Sequence, residues 1–188
     1  MRWLPNALCV LRMLLALPVA WFLYHERYDV TFFVFFVAAV TDGLDGYIAK
    51  RFNWTTELGK ILDPLADKLL LVTVFITLTI IGKVAPWLVT LVVLRDVIIA
   101  VGATIYRSMA GSLADSSPTW ISKVNTVMQI SYVLAAIAAS SVSWPSAEAI
   151  SVLGYITAGT TVISGADYII TYSKRAAALH RQVATPDS

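Results

Sequence analysis

At 188 residues the chain has room for one domain. It is 58% hydrophobic and 14% charged, with a mean hydropathy of +0.74, which excludes the composition of a soluble domain, where about 25% of residues are charged. A net charge of +2 without a long basic run gives no reason to expect nucleic acid as a partner, and Cys9, the single cysteine, excludes an intrachain disulfide and a cysteine-built metal site.

Six apolar stretches follow in chain order, at about residues 7–24, 30–48, 61–81, 86–106, 121–142 and 147–172. Each is near the roughly 20 residues that a helix needs to cross a bilayer core. Backbone groups in lipid have no water to bond, so such stretches are helical, and a closed barrel would show shorter, alternating strands. The pattern predicts an all-α integral membrane bundle of six transmembrane helices.

Polar or turn-forming residues separate the spans. His25 to Asp29 is a polar link, and Thr55 or Thr56 is suited to cap a helix in the next one. Gly82-Lys83 closes the third span and Pro86 opens the fourth. Residues 110–118 read as a loop from their Gly, Ser, Asp and Pro content, and Trp144-Pro145-Ser146 divides the last two spans. The domain is expected to occupy residues 1–175, with 176–188 a frayed tail. Neither a cleavable signal nor an Arg- and Ser-rich transit segment is evident near Met1.

Charge near the span ends gives an orientation. One side collects Arg2, Lys50, Arg51, Lys60, Arg107, Lys123, Lys174, Arg175 and Arg181; the other has Arg27 and Lys83. Both termini are therefore expected in the cytoplasm. Trp3, Trp21, Trp54, Trp87, Trp120 and Trp144 lie near span ends, as an interfacial belt requires.

Asp42 and Asp45 near the end of span two, and Asp63 and Asp67 near the start of span three, run against this hydropathy. An aspartate at a helix centre costs roughly 2.5–3.5 kcal/mol on insertion scales, less toward the interface, and the four also repel one another. A bound divalent cation offsets both costs. Asp42 and Asp45 are spaced i, i+3 and Asp63 and Asp67 i, i+4, so each pair shares a helix face. The short link over residues 50–58 predicts antiparallel neighbours, with the four carboxylates converging at one depth. An all-oxygen donor set selects Mg²⁺, Mn²⁺ or Ca²⁺. Gly46, Ala49 and Gly59 remove bulk on the acidic faces, which leaves room for a ligand; close helix packing is the alternative use of each one alone. Pro64 suggests that span three starts or bends near Asp63.

The run Asp42, Asp45, Gly46, Ala49, Lys50, then Gly59, Asp63 and Asp67, resembles the CDP-alcohol phosphatidyltransferase motif D-x2-D-G-x2-A-R-x8-G-x3-D-x3-D. Seven of the eight fixed positions are present at the family spacing; Lys50 stands where the family usually has Arg, which keeps the charge and loses a bidentate contact. Leu4-Pro5-Asn6 resembles the N-terminal segment of bacterial-type members, which implies a bacterial inner membrane with the site on its cytoplasmic side. Leu94 to Val97 and Ile121 to Thr126 look like the CMP-forming, eukaryotic-type cardiolipin synthase branch.

The resemblance implies substitution at the β-phosphorus of CDP-diacylglycerol. Asp42, Asp45 and Asp63 would hold Mg²⁺ or Mn²⁺, and Asp67 would take the acceptor hydroxyl proton and also touch metal. Gly46, Ala49, Lys50 and Gly59 would receive the CDP moiety. The acceptor is phosphatidylglycerol if the chain makes cardiolipin and glycerol 3-phosphate if it makes phosphatidylglycerophosphate; Arg95, Arg107 and Lys123 are candidates for an acceptor phosphate in either case. The family also implies a homodimer.

Blander readings stand beside these. Arg95 and Asp96 sit mid-span about 100° apart, so they need not pair with each other, and for Asp96 a structural partner is expected. Arg12 is close enough to the surface to snorkel, and Lys123 also suits a positive-inside anchor. Asp167 is expected in a buried hydrogen bond or ion pair, and His25 and His180 in solvent. The pairs Ala135, Ala139 and Ala136, Ser140 suggest close packing. An ion transporter would also gather intramembrane acids, but along the depth of the membrane, whereas here they cluster at one edge.

Overall fold

The computed structural model describes the backbone of residues 4–51, 59–110 and 119–184, with the side chains of residues 10–41 except Arg12, 68–106 and 119–175. Every element in these residues is a helix: α1 Leu4–Tyr24, α2 Tyr28–Arg51, α3 Gly59–Ile80, α4 Pro86–Ala110, α5 Trp120–Val142 and α6 Ala147–Ala184. Among the described residues, Pro86–Tyr106, Trp120–Val142 and Ala147–Arg175 are long and apolar enough to cross a membrane. The described apolar parts of the other helices are shorter, at Met13–Tyr24, Tyr28–Thr41 and Lys68–Ile80.

Local chemistry accounts for the helix ends. Gly82 closes α3 with φ 73°, and Lys83 N donates to Leu78 O at 2.8 Å, a six-to-one closure that glycine favours. Glu26 does the same for α1 at φ 58°, with Arg27 N donating to Phe22 O at 2.9 Å, although Glu26 has a side chain to accommodate. Ser143 ends α5 in the same left-handed region. Thr119 caps the start of α5 by accepting from Ser122 N at 3.3 Å, and Ser146 accepts from Ala149 N at the start of α6. The expected caps at Thr55 or Thr56 and most of the expected loop at 110–118 lie outside the described residues.

The third helix begins at Gly59, two residues before the start expected for the third span and one turn before Asp63. The sixth continues to Ala184, past the point where the tail was expected to begin. Residues 176–184 are rich in alanine and carry Arg181, good helix formers that extend a helix already nucleated by its apolar part.

The core lies between α1, α3 and α5. Ala16, Val19 and Leu23 are buried at i, i+3, i+7 on α1, and Leu71, Val74 and Leu78 at the same spacing on α3. Phe75 stacks on Tyr132 of α5 with ring centroids 6.0 Å apart, and Ala136 and Ile137 continue that face. α1 packs chiefly on α3, α5 and α4 on α6, and α2 on α5 and α1. The expected direct packing of α2 on α3 is at most marginal among the described residues. Trp21, Trp87, Trp120 and Trp144 are exposed near helix ends, and Trp87 stacks on Tyr155 at 5.9 Å.

Candidate active site

The backbone places Asp42 and Asp45 in the second half of α2 and Asp63 and Asp67 near the start of α3. Gly46, Ala49 and Lys50 lie on the same stretch of α2, and Gly59 is the first residue of α3. The side chains of these eight residues, and of Arg12 and Arg107, lie outside the described set. Spacings of i, i+3 and i, i+4 put each pair of carboxylates on one face of its helix. Among the described side chains, no group of three or more His, Cys, Asp or Glu is gathered to hold a metal.

The described part of this region begins with Lys68, the residue after Asp67. Its Nζ donates to Asp96 Oδ1 at 2.7 Å, tying α3 to α4. Arg95 Nη1 donates to the same oxygen at 2.7 Å. The neighbours expected to point apart do pair: the long Arg95 side chain folds back far enough to bridge the 100° between them. Arg95 Nη2 donates to Ser122 Oγ at 2.7 Å and also to Ser164 Oγ, so its guanidinium joins α4 to α5 and α6. The side chain is 4% exposed, and its Nε has no hydrogen-bond partner among the described residues. Asp96 is 10% exposed, with Oδ2 buried and unpartnered there. The pairing of the buried Arg95 with Asp96, and of Asp96 with the partly exposed Lys68, offsets part of the cost of burying these charges. The structural partner expected for Asp96 is thus two partners.

Lys123 is exposed at the start of α5. Asp167 is half-buried on α6, with Oδ2 buried and without a partner among the described residues. His25 is exposed, and its Nδ1 lies 2.9 Å from Trp21 O.

Sequence reasoning did not find the polar seam that continues from this node between α5 and α6. Asn125 is fully buried, and its Oδ1 accepts from the hydroxyls of Thr160 and Thr161, both at 2.9 Å. Gln129, one turn further, is fully buried with both amide atoms unpartnered among the described residues. The legible signal was the run Ser122, Asn125, Gln129 at helical spacing in an otherwise apolar span, mirrored by Thr157, Thr161 and Ser164.

A helical bundle of membrane character, with an acidic motif on two of its helices and an ion-paired node beside it, defines a class of membrane protein. The chain belongs to the CDP-alcohol phosphatidyltransferase family, whose model matches residues 2–164. It is 33% identical over 182 residues to human cardiolipin synthase (CMP-forming), covering 88% of this chain and 60% of that protein. It is 32% identical over 186 residues to the chloroplastic CDP-diacylglycerol–glycerol-3-phosphate 3-phosphatidyltransferase 1 of rice (Oryza sativa subsp. japonica), covering 90% and 56%. The Escherichia coli K12 CDP-diacylglycerol–glycerol-3-phosphate 3-phosphatidyltransferase is 34% identical over 118 residues, 61% of this chain and 60% of that one. The chain thus spans about 60% of the length of its human relative.

Proposed function

We propose that the chain transfers a phosphatidyl group from CDP-diacylglycerol to phosphatidylglycerol, giving cardiolipin and CMP. The motif from Asp42 to Asp67 carries this reading, supported by family membership and by the human cardiolipin synthase among the relatives. The acceptor hydroxyl oxygen bonds to the β-phosphorus, the bond from that phosphorus to the bridging oxygen breaks, and CMP departs with the bridging oxygen. Asp67 takes the hydroxyl proton. Asp42, Asp45 and Asp63, with Asp67, would hold Mg²⁺ or Mn²⁺, which supplies positive charge to the phosphoryl oxygens and the leaving group. Gly46, Ala49, Lys50 and Gly59 receive the CDP moiety. Arg95, Arg107 and Lys123 meet the acceptor phosphate. The domain covers residues 1–175 as six spans in a bacterial inner membrane, with both termini and the site cytoplasmic, and works as a homodimer.

A second reading keeps the chemistry and changes the alcohol to glycerol 3-phosphate. The rice and E. coli relatives favour it, at identities close to that of the human one. The deciding experiment supplies the purified chain with CDP-diacylglycerol and Mg²⁺ or Mn²⁺, with each acceptor in parallel, and measures CMP and the lipid product. Cardiolipin from phosphatidylglycerol alone is expected. Phosphatidylglycerophosphate from glycerol 3-phosphate alone makes the second reading correct, and no CMP with either metal removes the transferase reading.

A further inference from the structure

Asp167 is the only charged residue of α6 between Ala149 and Ser173, inside an apolar span where a carboxylate is a functional group by default. It is half-buried, and its Oδ2 is sealed without a hydrogen-bond partner among the described residues. Its place follows from the Arg95 node. Ser164, three residues earlier and on the neighbouring turn of the same side of α6, accepts from Arg95 Nη2. Asp96 Oδ1 accepts from Arg95 and from Lys68, the residue after Asp67. Asp167 therefore stands one turn from a node that reaches from α6 to the motif end of α3. Residues three apart on a helix have β-carbons about 5–6 Å apart, a separation comparable with the length of a glycerol phosphate.

The two acceptor alcohols share their chemistry. Each has a phosphate ester and two neighbouring hydroxyls, of which the primary one attacks and the secondary one keeps its proton. Cations receive the phosphate, whereas the remaining hydroxyl is a donor and needs an acceptor; an ionised carboxylate is the strongest a side chain offers. We propose that Asp167 is a binding residue that selects the alcohol: its carboxylate accepts the hydrogen bond of the secondary hydroxyl of the acceptor glycerol and so orients the primary one for attack. This rests on the reading that the chain is a phosphatidyltransferase whose acceptor phosphate meets Arg95. An alcohol without the neighbouring hydroxyl leaves the carboxylate unpaired, and a site built on such a bond rejects it.

The test uses the full-length chain purified in detergent, as wild type, Asp167→Ala and Asp167→Asn. Each is given CDP-diacylglycerol with phosphatidylglycerol or with phosphatidylpropanediol, the same lipid lacking the secondary hydroxyl. Glycerol 3-phosphate and hydroxypropyl phosphate form the parallel pair. From CMP release, kcat/KM for each alcohol is compared, and unfolding midpoints are recorded. The wild type is expected to prefer the glycerol acceptor about tenfold. Asp167→Ala loses about tenfold on the glycerol acceptor and discriminates less than about twofold, because the two deletions remove one contact. Asp167→Asn, which keeps the shape and an uncharged accepting oxygen, falls between. Additive losses overturn the proposal, as does a wild type indifferent to the hydroxyl. A lowered midpoint with wild-type discrimination also overturns it and makes Asp167 a structural group. Wild-type protein that releases no CMP with any of the four acceptors sinks the transferase reading and the proposal with it, whereas an active Asp167→Ala enzyme that still discriminates sinks the proposal alone.

Discussion

A β-carbon at Gly102 would lie 2.9 Å from Cε1 of Tyr168, closer than carbon atoms approach without something moving. That ring is stacked on Tyr172 with centroids 4.0 Å apart, and Tyr172 meets Tyr106 edge-on at 5.3 Å, so it has little room to retreat. Gly102→Val is expected to lower stability by about 1–3 kcal/mol, read as a fall in the thermal unfolding midpoint in detergent. A different logic governs Asp67, where the charge and its proton matter more than volume. Asp67→Asn is expected to lower phosphatidyl transfer about 10²–10⁴-fold, the usual contribution of general base catalysis, while the unfolding midpoint stays close to wild type. Near-normal turnover in that variant removes Asp67 from the base role. Residue identity made both the acidic motif and its spacing readable in the chain. The use of Gly102 was not readable, because the ring it accommodates comes from α6.

Between α5 and α6 the interface is held by a few hydrogen bonds in an apolar setting. Asn125 receives two hydroxyl donors from α6, so Asn125→Val breaks both and is expected to cost about 1 kcal/mol, given the modest worth of interhelical bonds measured in membranes. Gln129 contrasts with it. Its amide atoms have no partners among the described residues, so Gln129→Met, which keeps length and removes the polar atoms, is expected to leave the midpoint unchanged or raise it. A fall as large as that of Asn125→Val shows that the Gln129 amide is bonded in the membrane. The existence of both helices was legible from apolar length alone. Their polar faces were overlooked because one Asn and one Gln hardly alter the hydropathy of a span of 23 residues.

For the molecule as a whole, the bias of Lys and Arg toward one set of links makes orientation testable. In a Cys9→Ser background, cysteines placed at Lys83 and Ser146 are expected to react with an impermeant maleimide in intact cells. A cysteine at Thr119 is expected to react only after the membrane is opened. Labelling of all three from one side contradicts the alternation of six spans. The node at Asp96 also belongs to this scale, since it draws side chains from α3, α4, α5 and α6 into one contact.

The sequence by itself determined the helical class, the helix starts at Pro86, Trp120 and Ala147 to within a residue, and the acidic motif, because apolar length, turn chemistry and short-range spacing are local properties. The tertiary structure decided which helices are neighbours. It packed α1 chiefly on α3 and α2 on α5 and α1, and it paired Arg95 with Asp96 while tying Asp96 to Lys68, 28 residues away. Contacts at such separation depend on how buried faces are shared among several helices at once, and no single stretch of chain encodes that division.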